Sequence, residues 1–130
     1  MKHRKNPHRD TKKYERYELI GWKKDIKQTQ QCCYVSKRTD QLEVHHADVS
    51  FSEIFNEAHK VLGLTYHNDT KDYAPEDLKA LTDKVLELHN KAIGIVLTHD
   101  IHKQLHQRYG THVDMNQIEE FKTNYRKGDR

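Results

Sequence analysis

The sequence has little cysteine, proline and glycine and no long apolar run, and these shortages exclude several classes of protein. Two adjacent cysteines, Cys32 and Cys33, are too few for the disulfide framework of a small secreted domain. Two prolines and five glycines among 130 residues exclude a collagen-like chain. No stretch approaches the ~20 apolar residues of a membrane-spanning helix, and no apolar signal-peptide core is visible at the amino terminus. We therefore expect a cytoplasmic protein without a membrane partner.

Positive charge is concentrated at the amino-terminal end of the chain. Residues 1–24 carry nine basic and three acidic side chains, a net charge of +6, against +3 for the whole chain. We expect residues 1–16 to be a basic, flexible arm and residues 17–130 to be a single domain. Such an arm fits a nucleic-acid partner or a merely solvated tail. The candidate phosphate-binding cations are Lys2, Arg4, Lys5, Arg9, Lys12, Lys13, Arg16, Lys23, Lys24 and, on a later helix, Arg108.

Hydrophobic periodicity and turn residues predict an α+β fold. Apolar residues at helical spacing, with capping residues at the ends, predict helices over 17–28, 51–62, from Pro75 onward, 98–109 and 117–125. Short apolar or alternating runs predict strands over 32–35, 42–46 and 95–97.

Histidine is the abundant residue, with eleven copies, and two arrangements stand out. His45 and His46 are consecutive at the end of a predicted strand. His102 and His106 are four residues apart in a predicted helix, so both imidazoles face one side, a spacing that suits two ligands of one metal. We expect the isolated histidines to lie at the surface; these are His3, His8, His59, His67, His89 and His112.

These histidines and their neighbours resemble the HNH nuclease family. Members typically have a strand reading leucine, glutamate, valine, histidine, histidine, as in Leu42–His46, and later a leucine followed by two helical histidines, as in Leu97, His102 and His106. The likeness extends to small phage-type and homing-endonuclease-like members and covers roughly residues 22–121. It implies a ββα-metal core with a helical insertion between the two strands and flanking helices.

The sequence departs from the family pattern at two places. Many members hold a structural zinc with four cysteines, but here Cys33 is the one cysteine and Ser36, Thr98 and Ile101 stand at the other positions. We therefore expect no such zinc, and Cys33 is expected to be a small buried hydrophobe. The family's middle asparagine is the second departure, because Asn90 is only the nearest candidate and Asn116 lies further away.

The resemblance implies a metal-dependent endonuclease that hydrolyses DNA phosphodiester bonds, by nicking or double-strand cutting. In that scheme His46 is the general base that takes a proton from the attacking water, a task that suits a group whose ordinary pKa lies near neutrality. His45, His102 and His106 hold one divalent metal, and Asn90 orients the loop of His46.

Several alternatives stay open at this level. His99 shares a helix face with His102 and His106, so it is an additional candidate ligand. Three imidazoles favour Zn²⁺, Ni²⁺ or Mn²⁺ in affinity, whereas the family implies activity with Mg²⁺ or Mn²⁺. Specificity would come from a homodimer or a helper protein. The chain could instead be a non-catalytic, metal-stabilised nucleic-acid-binding module, or a repurposed phage HNH scaffold.

Overall fold

The computed structural model describes residues 6–126 and has an α+β architecture. Its helices in this range are α1 Thr11–Tyr17, α2 Ile20–Gln30, α3 Phe51–Leu62, α4 Pro75–His89, α5 His99–Tyr109 and α6 Met115–Arg126. The strands, β1 Leu42–His46 and β2 Gly94–Thr98, form an antiparallel sheet. This confirms the α+β class. No helix between residues 6 and 126 is long and apolar enough to cross a bilayer.

Residues 6–126 form two compact units, and the single domain expected over residues 17–130 stays a prediction. The first unit contains residues 6–22 and 51–91, with α1, α3 and α4. The second contains residues 23–50 and 92–126, with β1, β2, α5 and α6, and the division falls within α2. The helices that follow β1 and precede β2 in the sequence therefore belong to the first unit.

The structure differs from the flexible arm that we expected over residues 1–16. Thr11–Tyr17 form helix α1, and Asp10 caps it, because its carboxylate accepts a hydrogen bond from the backbone N–H of Lys13 at 3.0 Å. Residues 1–5 of the expected arm lie outside the described residues. At least the carboxyl-terminal part of the arm is thus ordered secondary structure.

Buried polar contacts hold α1 against the rest of the first unit. The Thr11 hydroxyl donates to the carbonyl of His67 at 2.6 Å. Glu15, fully buried, accepts a hydrogen bond from the Thr82 hydroxyl at 2.8 Å. Because neither Thr11 nor Glu15 reaches solvent, α1 is part of the core of this unit.

Two histidines that we expected at the surface, His59 and His89, are instead buried in the first unit. Each ring fits the interior because its Nδ1–H donates to the carbonyl four residues earlier, of Phe55 at 2.8 Å and of Val85 at 2.7 Å. The Nε2 of His59 then accepts a hydrogen bond from the Tyr73 hydroxyl at 2.7 Å. Those two surface predictions were wrong, because each ring has a backbone acceptor one turn away and His59 also has the more distant Tyr73 hydroxyl.

The sheet of the second unit is short and strictly paired. Its register runs from Leu42 opposite Thr98 to His46 opposite Gly94. Alternation places Glu43 and His45 on the same face of β1. The core of this unit comes mainly from β2, α5 and α6, with Ile95, Leu97, Ile101, Leu105, Ile118 and Phe121 buried together.

The outer edge of β2 is covered by a side chain rather than by a third strand. The Gln30 amide accepts from the N–H of Val96 at 2.9 Å and donates to the carbonyl of Gly94 at 2.7 Å. The N–H of Tyr34 donates to the carbonyl of Val96 at 2.8 Å. Two buried residues of β2 therefore keep their backbone partners at the edge of the sheet.

The predicted strand at residues 32–35 was wrong, because the chain turns there. The N–H of Lys37, whose φ is +66°, donates to the carbonyl of Cys33 at 2.9 Å and closes the turn. Cys33 is fully buried, as expected, and its sulfur accepts from the Ser36 N–H at 3.4 Å and the Thr98 hydroxyl at 3.7 Å.

Candidate metal centre

Three histidines from two elements converge in the second unit. His45 comes from β1, and His102 and His106 lie one turn apart on α5. The Nε2 of His102 lies 3.1 Å from the Nδ1 of His45 and 3.2 Å from the Nε2 of His106. One ring nitrogen from each residue lies within 4.8 Å of the others. The three predicted ligands are thus brought together.

Backbone carbonyls fix two of these rings from behind. The Nε2 of His45 lies 2.7 Å from the carbonyl oxygen of Val113, and the Nδ1 of His106 lies 2.9 Å from that of Gly110. A carbonyl oxygen only accepts, so both ring nitrogens must donate a proton. In the neutral imidazole the other nitrogen of each ring then carries a lone pair, and it is this nitrogen that faces the cluster.

Glu43 fixes the third ring, and sequence reasoning did not single it out for a role. Its Oε1 accepts from the Nδ1 of His102 and its Oε2 from the Nδ1 of His99, both at 2.8 Å. The Nε2 of His102 is therefore also the lone-pair nitrogen when the ring is neutral. A carboxylate behind a ligating histidine is a frequent partner in metal sites, where it sets the ring orientation and raises ligand basicity.

The charge state of Glu43 and His45 suits a cation. Burial raises the pKa of Glu43, but the hydrogen bonds from His102 and His99 outweigh it and hold that pKa below the ordinary value. Burial, joined by the charges of the two helical histidines, lowers the pKa of His45. At neutral pH the site therefore contains a carboxylate and an imidazole that keeps its lone pair.

Two of the three distances between these nitrogens match those expected around a divalent transition metal. In each ring the nitrogen that faces away from the cluster donates a hydrogen bond, so the two short N···N contacts bring lone pairs together. A cation shared by these nitrogens would remove the repulsion between the lone pairs. Nitrogen ligands at ~2.1 Å from zinc lie roughly 3.4 Å apart in a tetrahedron and roughly 3.0 Å apart in adjacent octahedral positions. The observed 3.1 and 3.2 Å fall between these values. His45 is buried, whereas His102 and His106 are partly exposed, so the cluster is accessible from one side.

The other predicted site residues lie at varied places. His46 is the last residue of β1 and is partly buried beside His45. His99 is the first residue of α5 and lies outside the three-histidine cluster, with its Nδ1 on Glu43. Asn90 caps the carboxyl-terminal end of α4 in the first unit, where its N–H donates to the carbonyl of Leu86 at 3.0 Å. The roles predicted for His46 and Asn90 stay predictions.

The predicted nucleic-acid-binding cations divide between helices. Lys12, Lys13 and Arg16 lie on α1, Lys23 and Lys24 lie on α2, and Arg108 lies on α5. Some already have partners, since Arg9 pairs with Asp69 at 3.4 Å and the Arg16 guanidinium lies 4.5 Å from the centre of the Phe51 ring. Lys2, Arg4 and Lys5 lie outside the described residues.

Sequence reasoning missed the three acceptors behind the ligands, and only one had a readable signal. Glu43 precedes His45 by two residues, so strand alternation alone places both on one face. Gly110 was recognised as a helix end, which does not reveal that its carbonyl meets His106. Nothing in the sequence pattern connects Val113 with His45.

No protein-family model matches the sequence, and no curated protein or solved structure is significantly similar to it. The structure therefore defines an α+β protein with a three-histidine candidate metal centre. Any finer assignment rests on the residues of the site.

Proposed function

We propose that this protein is a small metal-dependent endonuclease of the HNH type that hydrolyses DNA phosphodiester bonds. The observation that carries the proposal is the convergence of His45 from β1 with His102 and His106 from α5. Support also comes from the order of elements, in which helices separate two antiparallel strands and α5 follows β2 directly. This order is the one expected of a ββα-metal core with a helical insertion.

The proposed ligands are the Nδ1 of His45 and the Nε2 atoms of His102 and His106. Three neutral imidazoles favour a borderline ion such as Zn²⁺, Ni²⁺ or Mn²⁺ in affinity, whereas the HNH type implies turnover with Mg²⁺ or Mn²⁺. When bound, such an ion supplies Lewis-acid stabilisation for charge on the phosphate and on the departing 3′ oxygen. Glu43 and the Val113 and Gly110 carbonyls hold the ligand rings in place.

His46 is the proposed general base. It follows the ligand His45 directly in β1, so it lies next to the metal centre in the chain and is partly accessible to solvent. In this role a lone-pair nitrogen of its ring accepts a proton from the water that attacks phosphorus. The products are then a 5′ phosphate and a 3′ hydroxyl.

Basic side chains would hold the DNA backbone. Lys103 and Arg108 are exposed on the same helix as two of the ligands, and Lys24 is exposed on α2. Contacts of this kind position a duplex without reading its sequence. They also predict that binding weakens steeply as salt rises, because each neutralised phosphate releases counterions.

A plasmid assay tests the proposal. Purified protein is incubated with supercoiled DNA and Mg²⁺, Mn²⁺, Zn²⁺ or Ni²⁺, and the conversion to nicked or linear forms is measured. We expect EDTA to abolish conversion, and we expect His102→Ala to lose both metal binding and cleavage. His46→Ala should bind metal normally and lose cleavage. His112→Ala, at an exposed histidine outside the cluster, is the matched control and should behave like wild type.

Two other results would redirect the assignment. Metal binding without cleavage under every condition would contradict the nuclease and favour a metal-stabilised nucleic-acid-binding module, in which a gel-shift assay should still detect DNA binding. Absence of both metal binding and cleavage would favour a scaffold that keeps only the fold.

A further inference from the structure

Asp48 hydrogen-bonds to two chain segments at the end of the sheet next to His46, the segment that follows β1 and the segment that precedes β2. The N–H of Ala47 donates to the carbonyl of Ile93 at 2.9 Å, one step beyond the last paired residues of β1 and β2. The N–H of Ile93 in return donates to the Oδ1 of Asp48 at 2.9 Å. The same Oδ1 also accepts a hydrogen bond from the N–H of Val49 at 2.7 Å.

If the antiparallel ladder continued, the N–H of Ile93 would donate to a backbone carbonyl. Here one carboxylate oxygen of Asp48 takes the place of that carbonyl. Hydrogen bonds to a carboxylate are roughly twice as strong as those between neutral groups. One of them acts here on the N–H of Val49, three residues after His46. The other acts on the N–H of Ile93, which precedes Gly94, the residue opposite His46 in the sheet. They fix the chain at a strand end, where backbone pairing would otherwise stop.

The metal ligands do not depend on these two bonds. His45 is held by the Val113 carbonyl, His102 by Glu43 and His106 by the Gly110 carbonyl. Asp48 contacts none of those acceptors in its described hydrogen bonds. Removing its carboxylate should therefore disturb the end of β1 more than the three-histidine cluster.

We propose that Asp48 is a positioning residue that holds His46 in its working orientation. This inference rests on the proposed function, in which His46 is the general base. Proton transfer requires the base within hydrogen-bond reach of the attacking water, and misplacement by about 1 Å can cost roughly 100-fold in rate. The chain end that carries His46 is held by Asp48 rather than by further strand pairing.

The test compares Asp48→Ala with Asp48→Asn, because the asparagine retains an Oδ1 that can accept both N–H groups. Asp25→Ala, at an exposed aspartate of α2, is the control. At saturating Mn²⁺, Asp48→Ala should lower kcat for plasmid nicking by about 10- to 100-fold, with KM for DNA and Kd for Mn²⁺ within about 2-fold of wild type. Asp48→Asn should recover most of the rate.

A double variant separates positioning from general stability. In a His46→Ala background, Asp48→Ala should cause no further loss of the residual nicking, because both changes remove the same function. A further loss there would overturn the proposal. The proposal would also be overturned if Asp48→Ala lowered the Mn²⁺ affinity and the rate in parallel. A third contrary result is that Asp48→Asn fails to restore the rate although the Ile93 amide of that variant stays protected from hydrogen exchange.

The proposal stays testable if the wild-type protein cuts no DNA, a result that would refute the proposed function alone. NMR then measures hydrogen exchange at Ile93 and Val49 and the order of the His46 ring. Asp48→Ala should release both amides and disorder the ring, and Asp48→Asn should preserve them. An unchanged His46 ring in Asp48→Ala would refute the positioning role.

Discussion

Glu15 should make the protein less stable as the pH rises from 4.5 to about 7. Its carboxyl group is fully buried in the first unit, and its Oε1 has no hydrogen-bond partner among residues 6–126. Burial, the largest cause, raises its pKa from the ordinary value of 4.5 to about 7. The Thr82 hydroxyl opposes this shift, while the charges of Glu18 and Asp83 add to it.

The direction and size of the effect follow from proton linkage. The folded state keeps the proton on Glu15 between pH 4.5 and about 7, whereas the unfolded chain releases it. The free energy of unfolding therefore falls over that interval, by about 1.4 kcal/mol per pH unit. The total loss from this one group is about 3 kcal/mol by pH 8, with the full contribution present below pH 4.5.

Glu15→Gln removes the ionisation while keeping an oxygen that accepts from Thr82. Urea unfolding at pH 5, 6, 7 and 8 can be followed by the fluorescence of Trp22, the single tryptophan, which contacts His89 in the same unit at 4.9 Å between ring centres. The variant should gain stability relative to wild type as the pH rises, reaching about 3 kcal/mol at pH 8. Taking the difference between the two proteins cancels the titration of the histidines.

Glu57→Gln, at an exposed acid of α3, is the matched control and should show no such gain. Parallel stability curves for wild type and Glu15→Gln from pH 5 to 8 would refute the reasoning. That result would mean that solvent reaches the carboxylate or that a rearrangement supplies the partner it lacks.

Three further predictions concern the metal centre and the sheet edge. Glu43→Gln should weaken Zn²⁺ binding by about 10- to 100-fold in calorimetry, because the NH₂ group that replaces one carboxylate oxygen cannot accept a hydrogen bond from a histidine. An effect no larger than that of Asp25→Asn would contradict this. Zn²⁺ affinity should fall on acidification, since imidazole binds metal only when neutral. A Zn²⁺ affinity that does not change from pH 5 to 8 would exclude histidine ligation. Gln30→Ala should cost about 1–3 kcal/mol in urea unfolding by leaving backbone groups of β2 unpaired, whereas the exposed Gln28→Ala should change little.

The helices were the part of the fold most readable from the sequence. Apolar spacing predicted the bounds of Phe51–Leu62, and Pro75 and Gly110 marked the start of α4 and the end of α5. The alternation around Val44 predicted β1. These signals are local, because each depends on residues within one or two turns or along a single strand.

The errors arose where a distant contact overrides a local pattern. Residues 32–35 look like a strand, but they form a turn whose sulfur meets Thr98, 65 residues away. His59 was predicted to lie at the surface, but it is buried and its Nε2 accepts a hydrogen bond from the Tyr73 hydroxyl. Residues 11–16 look like a solvated basic arm, but Thr11 and Glu15 find buried partners in a later part of the chain.

The sequence by itself determined which side chains could meet at the candidate metal centre. The spacing of His102 and His106 needs only the helical repeat to place both rings on one face, and the pair His45–His46 needs only a strand end. For His45 and His102, tertiary structure alone decided which ring nitrogen faces inward. That choice belongs to acceptors far along the chain, with Val113 68 residues from His45 and Glu43 59 residues from His102. A neutral imidazole presents its lone pair opposite the nitrogen that donates, and folding selects the donor.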